Sequence, residues 1–322
     1  MKKLIVIVGP TATGKTDLAL TLTKKFNGEL VACDSRQVYQ GLDIGTGKKP
    51  GKSENLKIKK SEGWWEIDGV KVWMYDLVEP NEQLNAFDWA KKATEVIEGI
   101  EERGKLPIIV GGTGFYLKAL LDGLDQLSGA DLKLRGKLEH LSVKKLQNRV
   151  STHSPARWDN LNNSDRNNPR RLIRIIEQLS MYGYINKSQI SNAKYQIANV
   201  LKIGLTAPRP WLNSKIDSRV LAWFAQGILS EVKNLITGGV PVKRFAELGL
   251  EYSLIADYID GKISSQDELI KLIQTKIRQY AKRQMTWFKR DKEIRWFDIT
   301  KSNLSHRVES EVRNWYNHGT NK

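Results

Sequence analysis

Cysteine is nearly absent from this chain: one of its 322 residues, Cys33, is a cysteine. That excludes an intramolecular disulfide framework and a cysteine-based zinc cluster, fits a reducing cytoplasm, and leaves Cys33 the part of a small buried side chain. Long hydrophobic runs are missing too. No apolar stretch approaches a membrane span, and the basic Met1-Lys2-Lys3 opening leads only into Leu4-Ile5-Val6-Ile7-Val8. Neither a membrane anchor nor an export signal is expected. Negative charge is in deficit, with 36 Asp and Glu against 52 Lys and Arg, a net +16. So large an excess favours a polyanionic partner, nucleic acid first, the alternative being a generally soluble basic surface. The length allows one large domain with an insertion, or two domains, each with a real core. Most of the 10 tryptophans are expected in those cores.

What is present begins with Gly9-Pro10-Thr11-Ala12-Thr13-Gly14-Lys15-Thr16, set between the apolar run and Asp17-Leu18-Ala19-Leu20-Thr21-Leu22. The spacing is G-x-x-x-x-G-K-[ST] in a strand, loop and helix setting. The glycines let the backbone wrap round phosphate oxygens, exposed N–H groups and the helix dipole supply positive potential, Lys15 adds a full charge, and Thr16 can ligate Mg²⁺. The stretch reads as an anion cradle rather than a chance Gly-rich turn. It does not say which phosphate compound binds, or whether the phosphate is transferred, hydrolysed or expelled.

Leu18, Leu22 and Phe26 recur at helical spacing, and the helix should end near Asn27-Gly28. Glu29-Leu30-Val31-Ala32-Cys33 is a second strand that delivers Asp34-Ser35-Arg36-Gln37-Val38-Tyr39 to the carboxyl edge, where open parallel sheets bind ligands. Asp34 is expected near the phosphate loop, as a proton acceptor or an outer partner of Mg²⁺, with a helix N-cap as the structural alternative. Residues Lys48 to Glu62 lack apolar periodicity and predict a mobile loop without chemistry. Trp64 to Tyr75 predicts a hairpin round Asp68-Gly69, its tryptophans packing. Phe87, Ala90, Thr94, Ile97 and Glu101 trace a helix that Arg103-Gly104 ends.

Leu106-Pro107-Ile108-Ile109-Val110, Gly111-Gly112-Thr113-Gly114 and the helix from Phe115 form a second strand–Gly loop–helix junction. It is either a site where the Thr113 hydroxyl holds a diphosphate oxygen or a base edge, or a tight turn without a ligand. From Gly123 to Gln196 basic helical segments replace strands, so residues 123–196 read as a helical insertion between core parts 1–122 and 197–322. Pro169 suits a first helical turn, and Arg170 and Arg174 share one face, able to grip phosphates or simply to be solvated. Val200 to Leu205 returns to the sheet, and helices are expected from there to the end. In one of them Lys215 and Arg219 share a face, within reach of a phosphate opposite Lys15 or salt-bridged on the outside. Lys276 to Arg290 mixes cations with aromatic side chains, a combination suited to RNA.

Several of these segments together resemble the tRNA dimethylallyltransferases, or tRNA isopentenyltransferases, over nearly the whole chain. The resemblance rests on the phosphate loop, on Asp34-Ser35-Arg36-Gln37-Val38-Tyr39 running into Gly41-Leu42-Asp43-Ile44-Gly45-Thr46, on Gly111-Gly112-Thr113-Gly114 with Tyr116, and on Ala281-Lys282-Arg283-Gln284-Met285-Thr286-Trp287. It implies a P-loop NTPase-like α/β fold, a parallel sheet flanked by helices with a helical tRNA-binding insertion. It also implies transfer of a dimethylallyl group from dimethylallyl diphosphate to the exocyclic amino nitrogen of the adenosine 3′-adjacent to the anticodon. Asp34 would then be the base, with Thr113 near the adenine and Lys15 on the leaving group. Gly9, Pro10, Thr11, Ala12, Thr13, Gly14, Lys15, Thr16, Lys215 and Arg219 would bind diphosphate, and Mg²⁺ would sit on Thr16. The tRNA anticodon stem-loop would meet Asp34, Ser35, Arg36, Gln37, Thr113, Arg135, Arg170, Arg171, Leu172, Ile173, Arg174, Lys282 and Arg283. A cytoplasmic monomer with no membrane partner is expected.

Three positions depart from the family pattern: Trp73-Met74 replaces a His pair, Gly249-Leu250-Glu251 replaces Gly-Tyr-Lys/Arg, and Lys215 stands where Arg is usual. They fall on RNA contacts and the diphosphate clamp, not on the reaction class. The rival readings are an ATP-using kinase, a prenyltransferase of free adenine nucleotides, and a non-catalytic RNA-binding protein.

Overall fold

The computed structural model describes residues 2–50, 56–123, 131–182 and 199–318. The first elements are β1 Lys3–Val8, α1 Lys15–Lys25, β2 Gly28–Cys33, β3 Ile58–Ser61, β4 Gly63–Ile67, β5 Val70–Tyr75, α2 Ala86–Glu102, β6 Leu106–Gly111 and α3 Gly114–Leu121. Helices α4 Leu132–Glu139, α5 Val143–His153, α6 Pro155–Asp159, α7 Asn163–Arg166 and α8 Pro169–Tyr182 follow. The chain continues through β7 Asn199–Thr206, α9 Arg209–Ala225, α10 Ile228–Thr237, α11 Phe245–Leu248, α12 Leu250–Ile259, α13 Gln266–Phe288, β8 Arg295–Asp298 and α14 Leu304–His318. It divides into two units, Met1–Asp122 with Lys194–Lys322, and Gly123–Ala193.

The first unit is built on one sheet in the order β3-β4-β5-β2-β6-β1-β7-β8. From β5 to β8 every pairing is parallel, and β3 and β4 add an antiparallel edge. A strand with helices over both faces must be apolar throughout, as β1 is: Leu4 to Ile7 are fully buried. The chain leaves β1 through α1 and enters β2, which pairs with β6, while β7 pairs with the other side of β1. The carboxyl end of β1 is therefore a topological switch point, where a crevice opens. This is the P-loop NTPase-like α/β arrangement, and it puts the loops after β1, β2 and β6 side by side.

Local chemistry fixes the ends of these elements. Asn85 caps α2, accepting from the Phe87 and Asp88 N–H groups at 2.9 and 3.0 Å. The β4–β5 hairpin turns on Asp68 and Gly69, both at positive φ (49° and 77°), as a two-residue turn of this hand requires.

Three local expectations need correction. The buried face of α2 runs through Ala86, Trp89, Ala93, Ile97 and Ile100, leaving Phe87 45% exposed; Trp89, the bulkiest side chain, sets the register. Within 48–62, β3 is a strand, and Lys48 is fully buried. Its ammonium donates to the Tyr39 carbonyl at 2.7 Å and to Asp43 at 2.9 Å, and it also pairs with Asp76. A lysine sequestered by two carboxylates leaves no apolar period to read. Finally, the C-terminal part is not all helical: β8 extends the sheet beside β7, too short at four residues to declare itself by alternation.

The second unit has its own core, with Leu138 from α4, Leu146 and Val150 from α5, and Leu172, Ile173, Ile175 and Ile176 from α8. Leu172 and Ile173, expected among the tRNA contacts, are packing residues here (0 and 4% exposed), with their side chains turned into this core.

At the amino end of the sheet, Glu29 is 4% exposed and accepts from Trp73, Arg103 and Lys105 at 2.7, 2.8 and 2.9 Å. Burial alone would raise its carboxyl, but these donors outweigh it and hold the group below the usual glutamate range. A depressed folded-state pKa gives stability that is present above the unfolded-state value and lost as pH falls through the folded one. Glu29→Gln should therefore cost about 1–3 kcal/mol at neutral pH and lose less stability than the wild type on acidification, as read from denaturant midpoints across the acid range.

Candidate active site

The phosphate loop enters α1 through Gly14, whose φ of 74° lies in the left-handed region. The first helical bond runs from the Leu18 N–H to the Gly14 carbonyl, so the N–H groups of Lys15 and Thr16 have no acceptor within the helix. Thr13 turns its hydroxyl inward to the Pro10 carbonyl at 2.9 Å and so braces the loop. Lys15 donates to the same carbonyl at 2.8 Å. From α9, Arg219 donates to the Thr11 hydroxyl at 3.1 Å, and a Cβ at Gly47 would lie 2.1 Å from its Nη2. Burial, and then the charge of Arg219, push the Lys15 ammonium down to about 7 against the pull of Asp34. An anion between Lys15 and Arg219 would relieve that repulsion, which is what a cradle for a multiply charged phosphate should offer.

Asp34 follows β2 and lines the same cleft as Thr11, Lys15, Thr16 and Arg219. No helix follows it, so it is not an N-cap; its Oδ1 accepts the Arg36 N–H at 3.0 Å in a local turn. Thr113, after β6, accepts the Ser35 N–H on its hydroxyl at 3.2 Å, and its own N–H reaches the Cys33 carbonyl. The two loops are therefore laced together beneath the cleft. Gln37 is 8% exposed and donates to the Thr46 carbonyl at 3.1 Å. Cys33 is buried, and burial, with Asp34 beside it, pushes its thiol well up, which suits a packing role.

Of the cleft residues, Gln284 and Tyr280 were named in the sequence only as parts of longer stretches, and Glu251 only as a departure from the family pattern. Gln284 of α13 accepts the Thr11 N–H at 2.9 Å and donates to the Gly112 carbonyl at 3.0 Å, joining the two Gly loops. Tyr280, one turn earlier, lies under Arg36, 5.1 Å from ring centre to guanidinium carbon. Glu251 of α12 is 1% exposed and takes Arg36 Nη1 on both oxygens. Next to it, the Tyr252 hydroxyl donates to Glu231, which accepts the Asp43 and Ile44 N–H groups and so holds the loop before Gly45.

Comparison with known proteins adds to this geometry. The family model for IPP transferases matches residues 37–291, and that for isopentenyl transferases matches residues 2–62. A tRNA dimethylallyltransferase of Carboxydothermus hydrogenoformans is 37% identical over 313 residues, spanning 94% of this chain and 94% of its own. The chain belongs to the tRNA dimethylallyltransferase family. The crystal structure of the full-length tRNA isopentenylpyrophosphate transferase of Bacillus halodurans matches with a TM-score of 0.69 at 31% identity, over 99% of this chain and 98% of that one. A eukaryotic dimethylallyltransferase captured acting on tRNA shares the fold, with a TM-score of 0.74 at 23% identity over 99% and 80% of the two chains.

Within this family member, the residues proposed from sequence separate clearly. Lys15, Thr16, Asp34, Arg36, Gln37 and Arg219 line one cleft. Lys215 does not: it is exposed, its ammonium 5.3 Å from the Trp211 ring centre. It lies one turn before Arg219 on α9, exposed where Arg219 is half-buried. Lys282 and Arg283 are exposed on α13. In the helical unit, Arg135 makes a two-pronged bond to Glu177 at 2.8 and 2.9 Å, Arg174 bonds the same carboxylate at 3.3 Å, Arg171 pairs with Asp165, and Arg170 is exposed.

Gln284→Ala removes both bonds that join the Gly loops. The variant should bind inorganic diphosphate about tenfold more weakly, a loss of about 1.4 kcal/mol, by titration calorimetry; undiminished affinity would show that the loops hold their shape without this amide.

Proposed function

We propose that this chain transfers the dimethylallyl group of dimethylallyl diphosphate to the exocyclic amino nitrogen of the adenosine 3′-adjacent to the anticodon of tRNA. The observation that carries the reading is that the Asp34 carboxylate opens onto the same cleft as Lys15, Thr16 and Arg219. Membership of the family supports it further.

In this reading the adenosine nitrogen attacks the allylic carbon, the carbon–oxygen bond breaks, and its electron pair leaves on diphosphate. Charge grows on the departing group. The N–H groups at the start of α1, with Lys15 and Arg219, sit where that charge develops and stabilise the transition state more than the ground state. The attacking amine must lose a proton as the new bond forms, and Asp34 accepts it. Thr113, bonded to Ser35 and close to Tyr280, lies beside the reacting adenine.

Thr16 is the residue that would hold Mg²⁺, whose charge when bound adds to that of Lys15. One half-buried hydroxyl fits an ion that takes its remaining ligands from diphosphate oxygens and water, and no cluster of three acidic, His or Cys side chains competes for it among the described residues. A base stacked in the anticodon loop cannot reach this cleft, so the adenosine is drawn out of the loop while cations hold the surrounding RNA. Arg170, with Arg135, Arg171 and Arg174, is assigned to that role, as are Lys282 and Arg283. No helix among the described residues is long and apolar enough to cross a membrane, and we place the enzyme in the cytoplasm as a monomer.

Incubation with dimethylallyl diphosphate, Mg²⁺ and unmodified tRNA, followed by nucleoside mass analysis, should show a five-carbon adduct on adenosine. Consumption of ATP in a parallel reaction, with no such adduct, would favour a kinase instead. Asp34→Asn should lower turnover by about 10²–10⁴ while tRNA affinity, read by filter binding, stays within a few-fold; a near-normal rate would remove Asp34 as the base.

A further inference from the structure

Glu251 faces the cleft, is almost wholly buried, and has no part in the chemistry just described. Both of its oxygens accept from Arg36 Nη1, at 2.8 and 2.9 Å. The same guanidinium holds its Nε 3.9 Å from Asp34 Oδ1 and lies over the Tyr280 ring. Arg36 is therefore one cation between two carboxylates, within hydrogen-bond distance of one and beyond it from the other. Asp34 Oδ1 instead accepts the Arg36 main-chain N–H, at 3.0 Å.

That asymmetry has chemical weight. A carboxylate gripped by a guanidinium through a short, charge-assisted bond is stabilised in its ionised form and becomes a poor proton acceptor. Lys15, Arg36 and Arg219 all border the cleft that Asp34 lines. Lys15 is tied to the Pro10 carbonyl and Arg219 to the Thr11 hydroxyl. Of the three, Arg36 comes with its side chain nearest to closing on Asp34, and Glu251 is what holds it off.

We propose that Glu251 is a positioning residue for the transfer: by drawing the Arg36 guanidinium to itself, it keeps Asp34 able to take the proton of the attacking amine and leaves the diphosphate to Lys15 and Arg219. This rests on the reading of Asp34 as the base. The position is one of the three at which the sequence departs from the family pattern, where an acid replaces a cation. In the folded chain that acid is the partner that sets Arg36.

The test is steady-state kinetics of Glu251→Gln at saturating dimethylallyl diphosphate and tRNA, beside Arg36→Gln, the double variant and Asp34→Asn, with the melting temperature of each. Without its partner, Arg36 closes on Asp34, so Glu251→Gln should lose tenfold or more in kcat while KM for dimethylallyl diphosphate rises less than twofold. The double variant, which has no cation to misplace, should have a kcat at least threefold above that of Glu251→Gln, whatever happens to KM for tRNA. A purely structural role predicts the reverse, a lower melting temperature and no recovery. A kcat for Glu251→Gln within twofold of wild type, or a double variant no faster than Glu251→Gln, overturns the proposal. If Glu251→Gln does not fold, Arg36→Gln and the double variant decide: with Arg36 gone, loss of Glu251 must cost no further kcat, and a further tenfold drop overturns the idea. A wild-type rate for Asp34→Asn overturns both this inference and the reading it rests on, whereas an inactive Asp34→Asn beside an unaffected Glu251→Gln overturns the inference alone.

Discussion

One carboxamide holds the two Gly loops of the cleft in register. Gln284 accepts from the loop after β1 and donates to the loop after β6, the neighbouring strand. An amide is suited to this because it offers an acceptor and a donor from one planar group, and both partners are main-chain groups that a buried site must satisfy. The glycines beside it are there for space: a Cβ on Gly112 would lie 2.2 Å from the Gln284 amide nitrogen, and one on Gly114 would run into Trp287. The Lys-Arg-Gln-x-Thr-Trp ending is thereby explained by packing. Its Gln and Trp face inward and close α13 against the sheet edge, while Lys282 and Arg283 stay exposed.

Given that frame, the electrostatics follow. Three cations and two carboxylates share one partly enclosed cleft, an arrangement that desolvation makes costly unless each charge is paired. Arg36 is satisfied by Glu251. Lys15 and Arg219 are held by single neutral acceptors, Pro10 and Thr11, and both are pushed down, first by burial. The site is therefore set up with unspent positive potential at the phosphate loop and a settled ion pair at the Asp34 end. A preorganised field of this kind needs no rearrangement when charge builds on the leaving group.

Much of this was legible in the sequence because it lies in local patterns. The β1 run, the phosphate loop and the second Gly junction each carry their geometry in consecutive residues, and parallel topology then brings their carboxyl ends together. What was not legible depends on long-range pairing. Lys48 sits in a stretch without period, and only the meeting of Asp43, Asp76 and the Tyr39 carbonyl makes its burial tolerable. Leu172 and Ile173 lie between arginines, so that a core row looked like part of a basic surface. Gln284 did leave a trace: Leu269, Ile273, Ile277, Ala281, Gln284 and Phe288 form one buried stripe of α13, and a polar residue on such a stripe must find partners.

A phosphate cradle does not by itself choose a reaction. It stabilises negative charge on phosphate oxygens, and the same stabilisation serves a phosphoryl group in transit or a diphosphate in departure. The groups opposite the cradle make the choice. Phosphoryl transfer from a nucleotide places the acceptor in line with the terminal phosphorus, whereas transfer from an allylic diphosphate breaks a bond on the far side of the bridging oxygen, at carbon. The acid that takes the proton must then stand beyond the phosphates, next to the nucleophile. Asp34 comes from the strand beyond β6, two positions from β1 in the sheet, and is the first residue after that strand. On the proposed reading, the phosphate loop would fix one end of the reacting system and β2 the other, and the width of the sheet between them would set where carbon can be attacked.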